Sequence, residues 1–191
     1  GGTQSGHDTL PDAVRAQIER IRSEARERPG DAAAQRLWAE WELLGEGGDP
    51  DQAGAAIAAA EALAPADPGL AYLRGMLVEQ RGDADAALDA FLETMTRAAA
   101  SSDPLAPFYA ESALAFTYDL RTNAPRWLER MRGVVERLYA EPGHLGMPMR
   151  RVLAFWLRER ALERGDAPAA RAIEAALSCP TGRVRAIGPF P

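Results

Sequence analysis

The chain has 191 residues, 47% of them hydrophobic and only 7% aromatic, with a formal net charge of −6. That length accommodates one sizeable domain or a short repeat array, and the apolar content excludes wholesale disorder. Its 39 alanines favour closely packed helices over a bulky core, and the single cysteine, Cys179, excludes an internal disulfide.

The opening string "GGTQSGHD" is small and polar, which predicts a flexible tether over residues 1–9. It lacks an initiator methionine, so one expectation is an exported or periplasmic bacterial lipoprotein whose leader has been removed. A bacterial source also fits the basic residues, all 22 of which are arginine. Thr9 then reads as an N-cap ahead of Pro11 and Asp12, with Val14, Ile18, Ile21 and Ala25 on one face until Pro29-Gly30. Asp31 caps a second helix that carries Leu37, Trp38, Trp41 and Leu44 on one side and frays at Gly45–Gly48. Asp49-Pro50 opens a third helix, which ends at Pro65, and Asp67-Pro68 opens a fourth, which ends near Gly82. A fifth runs to about Ala100, and Asp103-Pro104 opens a sixth. Caps and apolar spacing place further helices at roughly 104–121, 124–140, 147–164 and 167–178. The breaks are short, so consecutive helices are expected to lie antiparallel in an all-α domain of about nine helices over residues 10–178. After Pro180, "TGRVRAIGPFP" reads as an extended tail or a linker over 179–191.

Charge is distributed unevenly. Residues 1–119 hold 9 arginines against 21 carboxylates, a net −12, whereas residues 120–191 hold 13 against 7, a net +6. Such polarity suits an anionic partner at the basic end or weak head-to-tail self-association.

Part of the pattern recurs. Gly48, Asp49, Asp51, Ala53 and Ala56 return as Gly82, Asp83, Asp85, Ala87 and Ala90, always 34 positions later. Trp41, Leu44, Gly48, Ala53, Ile57, Ala60 and Pro65 in one unit answer to Gly75, Val78, Gly82, Ala87, Phe91 and Thr94 in the next. On these positions, residues 34–67 and 68–101 resemble tetratricopeptide repeats, helix-turn-helix units of this length, and later pairs match loosely. Trp41 is large where the family is small, and Thr94 is polar where it usually has alanine. The resemblance implies an α-solenoid of antiparallel helix pairs whose first helices line a concave groove. By register, the groove-facing places are Gln35, Trp38, Glu42, Tyr72, Met76, Glu79 and Gln80. An acidic, aromatic groove of this kind would take a protein or peptide with apolar anchors and positive charge.

Parts for catalysis are few. His7 and His144 fall in separate loops, and nothing in the sequence brings His144 to Cys179. No metal-ligand spacing, phosphate cradle or nucleophile elbow is present, so no cofactor and no metal are expected. Both Arg-Gly-Asp triplets, Arg81–Asp83 and Arg164–Asp166, sit where a helix must stop and another be capped. The arginines after residue 120 surround an apolar stripe of Trp127, Met131, Val134, Val135 and Leu138, which argues against nucleic-acid binding. No apolar run is long enough to cross a membrane. The sequence therefore points to a non-catalytic protein-interaction module. The alternative is the helical front portion of a larger exported enzyme or surface protein.

Overall fold

A computed structural model of the protein describes residues 11–178. Among the described residues the chain is all-helical, with no strand. The helices are α1 (Asp12–Glu27), α2 (Ala32–Leu44), α3 (Pro50–Leu63), α4 (Pro68–Gln80), α5 (Ala84–Ala100), α6 (Ala106–Asp119), α7 (Trp127–Ala140), α8 (Gly146–Glu163) and α9 (Ala167–Ser178). A 3-10 turn at Gly143–Leu145 leads into α8. The stretches read as a tether (1–9) and a tail or linker (179–191) lie outside the described span, together with His7, Thr9 and Cys179.

Aspartates set most helix starts, because a short side-chain oxygen can accept a first-turn N–H that has no intrahelical partner. Asp31 accepts from Ala33 and Ala34 at 3.0 and 3.2 Å, Asp49 from Asp51 at 2.9 Å and Asp67 from Gly69 at 2.7 Å. Asp83 and Asp166 each accept at 3.0 Å, from Ala86 and Ala169. Asp103 accepts from Leu105 at 2.8 Å, but α6 starts at Ala106, two residues later than the Asp-Pro signal suggests.

Both Arg-Gly-Asp triplets are helix stops of one design. Asp83 N–H donates to Val78 carbonyl at 3.0 Å and Gly82 N–H to Glu79 at 2.9 Å; Asp166 and Gly165 repeat this with Ala161 and Leu162 at 2.9 Å each. These paired bonds form a Schellman motif, which needs a left-handed residue, and Gly82 and Gly165 have φ of 80° and 74°. The aspartate that closes one helix then caps the next.

The first hairpin turns differently. The positive φ expected at Gly48 falls instead on Gly47, at 77°. Gly48 is required for another reason: a Cβ there would collide with the Glu42 backbone. Its connection spans 45–49, two residues longer than 81–83. The interval is therefore 34 between Asp49 and Asp83 but 36 between the helix caps Asp31 and Asp67. That offset removes the anomaly at Trp41. The small residue buried in the middle of α2 is Ala39, and Trp41 is only half-buried.

Packing follows from small residues facing large ones. Ala53 and Ala87 are fully buried, and Ile57 and Phe91 fill the adjoining space. On α4, Gly75 leaves room for the Phe91 ring, since a Cβ there would lie 2.6 Å from its Cε1. One apolar cluster joins α2, α3 and α4 through Ala39, Ile57, Leu70 and Leu77. A second continues from α5 to α9 through Phe91, Met131, Leu153 and Ile173, and Met76 packs against both. Thr94, also buried, bonds back to the Ala90 carbonyl at 2.8 Å. Pairing is tight for α2 with α3, α4 with α5 and α8 with α9. The pair α6 and α7 departs from the expected antiparallel hairpin: α6 packs mainly on α5, whereas α7 packs on α5 and α8. The cause is their connection at 120–126, which ends with Arg126 in the left-handed region at φ 52° and redirects the chain.

Candidate functional site

Two surfaces stand out. The first is built by α2, α4 and α6, where α2 neighbours α4 and α4 neighbours α6. Their N-terminal turns share one level. Arg36 of α2 reaches Asp67, the cap of α4, at 2.8 Å, and also bonds the Tyr109 hydroxyl of α6. The second contact crosses α4 above Gly69, where a Cβ would stand 2.6 Å from Arg36 Nη2 and 3.0 Å from the Tyr109 ring. Glycine lets side chains of the flanking helices touch over the middle one, which ties the first turns of α2, α4 and α6 together on this side. Burial opposes the Arg36 charge, but the hydrogen bond it donates to Glu40 and the field of the Asp67 carboxylate outweigh it and raise its pKa. Burial also pushes the Tyr109 phenol up.

The residues expected to line this side divide into two groups. Gln35 and Glu42 turn toward α1 instead, while half-buried Trp38 packs against the cluster shared by α2, α3 and α4 and bonds Glu42. Gln35 is 3% exposed and donates to the Ala25 carbonyl at 2.7 Å, satisfying the end of α1. Glu42, 1% exposed, receives Arg22 through two bonds at 2.6 and 3.0 Å, Trp38 Nε1 at 2.9 Å and the Asp49 N–H at 2.9 Å. Burial alone would raise its carboxyl, but these donors prevail and hold it below the usual carboxylate range. Gln35 and Glu42, buried, tie α1, α2 and the 45–49 connection together. Tyr72, Met76 and Glu79 are half-buried on α4, and Gln80 is exposed at its end. The Tyr72 ring lies 5.7 Å from Tyr109 and 6.0 Å from Phe91, and its hydroxyl interacts with Ser112. Glu79 borders an open cleft between the 81–83 turn and the 120–126 connection.

Other residues take the places vacated on α2. Leu37 and Leu44 are exposed, Leu44 at 56%, and Trp41 is partly so. On α6, Phe108 is 58% exposed and meets Tyr109 edge-on at 5.5 Å. Leu37 and Phe108 therefore each adjoin a member of the Arg36–Tyr109 bridge. The signal was present as the Leu37, Trp41, Leu44 spacing, which sequence reasoning assigns to the core because large apolar side chains ordinarily go there.

The second surface lies at the other edge of the molecule. The 120–126 connection, the first turn of α7 and the end of α8 enclose a cleft of about 590 Å³. Arg121, Arg126, Arg132 and Arg164 line it, with Trp127 and Leu128 as its apolar floor. Arg126 is held by Glu129, and Arg132 by Glu136 at 2.6 Å.

His144 is exposed within the 3-10 turn, and among the described residues no cluster of His, Cys, Asp or Glu is placed to hold a metal ion. No described helix is long and apolar enough to cross a membrane. Compared with protein-family models, with curated proteins and with solved structures, the chain matches none of them.

Proposed function

We propose that the protein is a non-catalytic interaction module of stacked, tetratricopeptide-like helical hairpins, which holds a partner polypeptide on the inner side of α2, α4 and α6. The observation that supports this reading is the Arg36–Tyr109 contact over Gly69, which links α2 and α6 across α4 as a concave side lined by first helices would require. Leu37, Leu44 and Phe108 stand exposed there at a cost in apolar hydration that a bound partner would offset. Glu79 and the exposed Glu111 and Asp119 add negative charge on α4 and α6. A helix or peptide with apolar anchors and basic flanks is the complementary ligand.

The test uses the full chain and a fluorescent amphipathic peptide of leucine and lysine. Binding should shift amide NMR signals of α2, α4 and α6, and Leu37→Asp with Phe108→Asp should weaken it by at least about tenfold. Unchanged affinity in that double variant, with its helicity intact, would remove the inner side as the binding surface.

A further inference from the structure

We infer that the arginine-lined cleft beside the start of α7 is a second binding site, for an acidic polypeptide segment that carries an apolar anchor. It lies apart from the inner side of α2, α4 and α6 and asks for ligand charge of the opposite sign.

Four arginines line the cleft against one carboxylate, Glu129, which is already engaged by Arg126. Arg121 and Arg164 make no ion pair among the described residues, whereas Arg130 pairs with Asp85 and Asp89, Arg158 with Glu159 and Glu174, and Arg160 with Glu163. Two arginines without a carboxylate partner among the described residues thus meet at this cleft. The first turn of α7 adds to their charge, because no side chain caps that helix, and its free N–H groups give the end a partial positive charge.

Behind the cleft a narrow crevice continues between Leu128, Arg132, Arg164 and Trp156. Trp156 is 2% exposed, and its Nε1 has no hydrogen-bond acceptor among the described residues; Arg160 Nε is likewise buried without one. The Tyr118 hydroxyl is close enough to feel Trp156 but does not accept from it in good geometry. That crevice, also lined by Glu136, is too small for a ligand, so the cleft itself carries the recognition. The floor sets the other half of the specificity. Leu128, 49% exposed, lines the cleft beside Trp127 and offers an apolar seat for a leucine-sized side chain.

A polypeptide fits better than a nucleic acid. A polyanion needs a continuous basic track, and here ion pairs interrupt the track on both sides of the cleft. Residues 1–119 carry a net −12, which repels a long polyanion while leaving a short acidic segment free to dock at the basic end.

Fluorescence anisotropy on the full chain tests this, with labelled peptides of leucine alternating with glutamate, with glutamine and with lysine, and a single-stranded oligonucleotide of equal charge. The glutamate peptide should bind saturably and the glutamine peptide should not. Replacing both Arg121→Gln and Arg164→Gln should weaken that binding by about tenfold or more, each guanidinium–carboxylate contact being charge-assisted. Arg151→Gln, an exposed arginine of α8 outside the cleft, should leave it unchanged, as should Phe108→Asp on the inner side. Equal losses in Arg151→Gln, tighter binding of the oligonucleotide, or no saturable binding of the glutamate peptide would overturn the site. Self-association that the double arginine variant abolishes, without peptide binding, would overturn it in favour of a contact between copies of the chain.

Discussion

Glu42 shows how one side chain can change the meaning of a surface. Its position in the repeat suggests a solvated groove carboxylate, yet Arg22, Trp38 and the Asp49 N–H converge on it, and no part of it faces solvent. The sequence offers no local sign of this, because Arg22 lies 20 positions away on another helix. Removing the carboxylate strands a half-buried guanidinium and two further donors, so Glu42→Ala should cost about 3–5 kcal/mol in urea unfolding. The carboxyl's folded pKa lies below its unfolded value of about 4.3, so its contribution is complete above that value and fades as pH falls through the folded one. The stability difference between the native chain and Glu42→Gln should therefore be flat from about pH 8 to 5 and shrink below about pH 4. A difference that stays constant down to about pH 3 would show that the charge is not what stabilises the site.

At the scale of elements, helix boundaries were legible because their chemistry is local. Asp31, Asp49, Asp67, Asp83 and Asp166 cap helices as their identity and spacing suggest, and the two Gly-Asp pairs stop and restart the chain in one step. The rotation of α2 was not legible. Its large apolar residues Leu37, Trp41 and Leu44 turn outward while Gln35, Ala39, Glu42 and Leu43 turn inward, since partners on α1 and α3 satisfy the polar pair. A two-residue difference in connection length moved the register of that helix, and such a shift shows only when both hairpins are compared in three dimensions. Two glycines with open space around them separate backbone from packing effects. Gly82, at φ 80°, should lose about 1–2 kcal/mol on replacement by alanine, whereas Gly133, mid-way along α7, should gain about 0.5–1 kcal/mol. Thermal unfolding of the two variants reads the difference directly. A loss in both would mean that the φ at Gly82 is not what decides its identity.

For the whole molecule, the order of packing predicts the order of opening. Central α4 and α5 contact helices on both sides and supply both apolar clusters, whereas α1 packs chiefly on α2 and α9 chiefly on α8. Elements with a single neighbour lose fewer contacts when they detach. Amide hydrogen exchange should therefore be fastest in α1 and α9 and slowest in α4 and α5. Uniform protection from α1 to α9 would instead point to one cooperative unit. The linkage runs through Met76, which touches both clusters, and through Arg74 and Arg97, which share Glu61 at 2.9 and 3.1 Å and so join α3, α4 and α5. Such coupling is set by long-range geometry, and neither Met76 nor Glu61 is distinguished by its sequence neighbours.

The Arg36–Tyr109 contact acts on the first helices as a bowstring acts on a bow. Moving α2 and α6 away from each other would have to stretch or break that tie, which clamps their first turns across α4. The far ends of α2 and α4, at Leu44 and Gln80, lie outside that clamp, so Arg36→Ala should loosen the first turns and leave those ends unaffected.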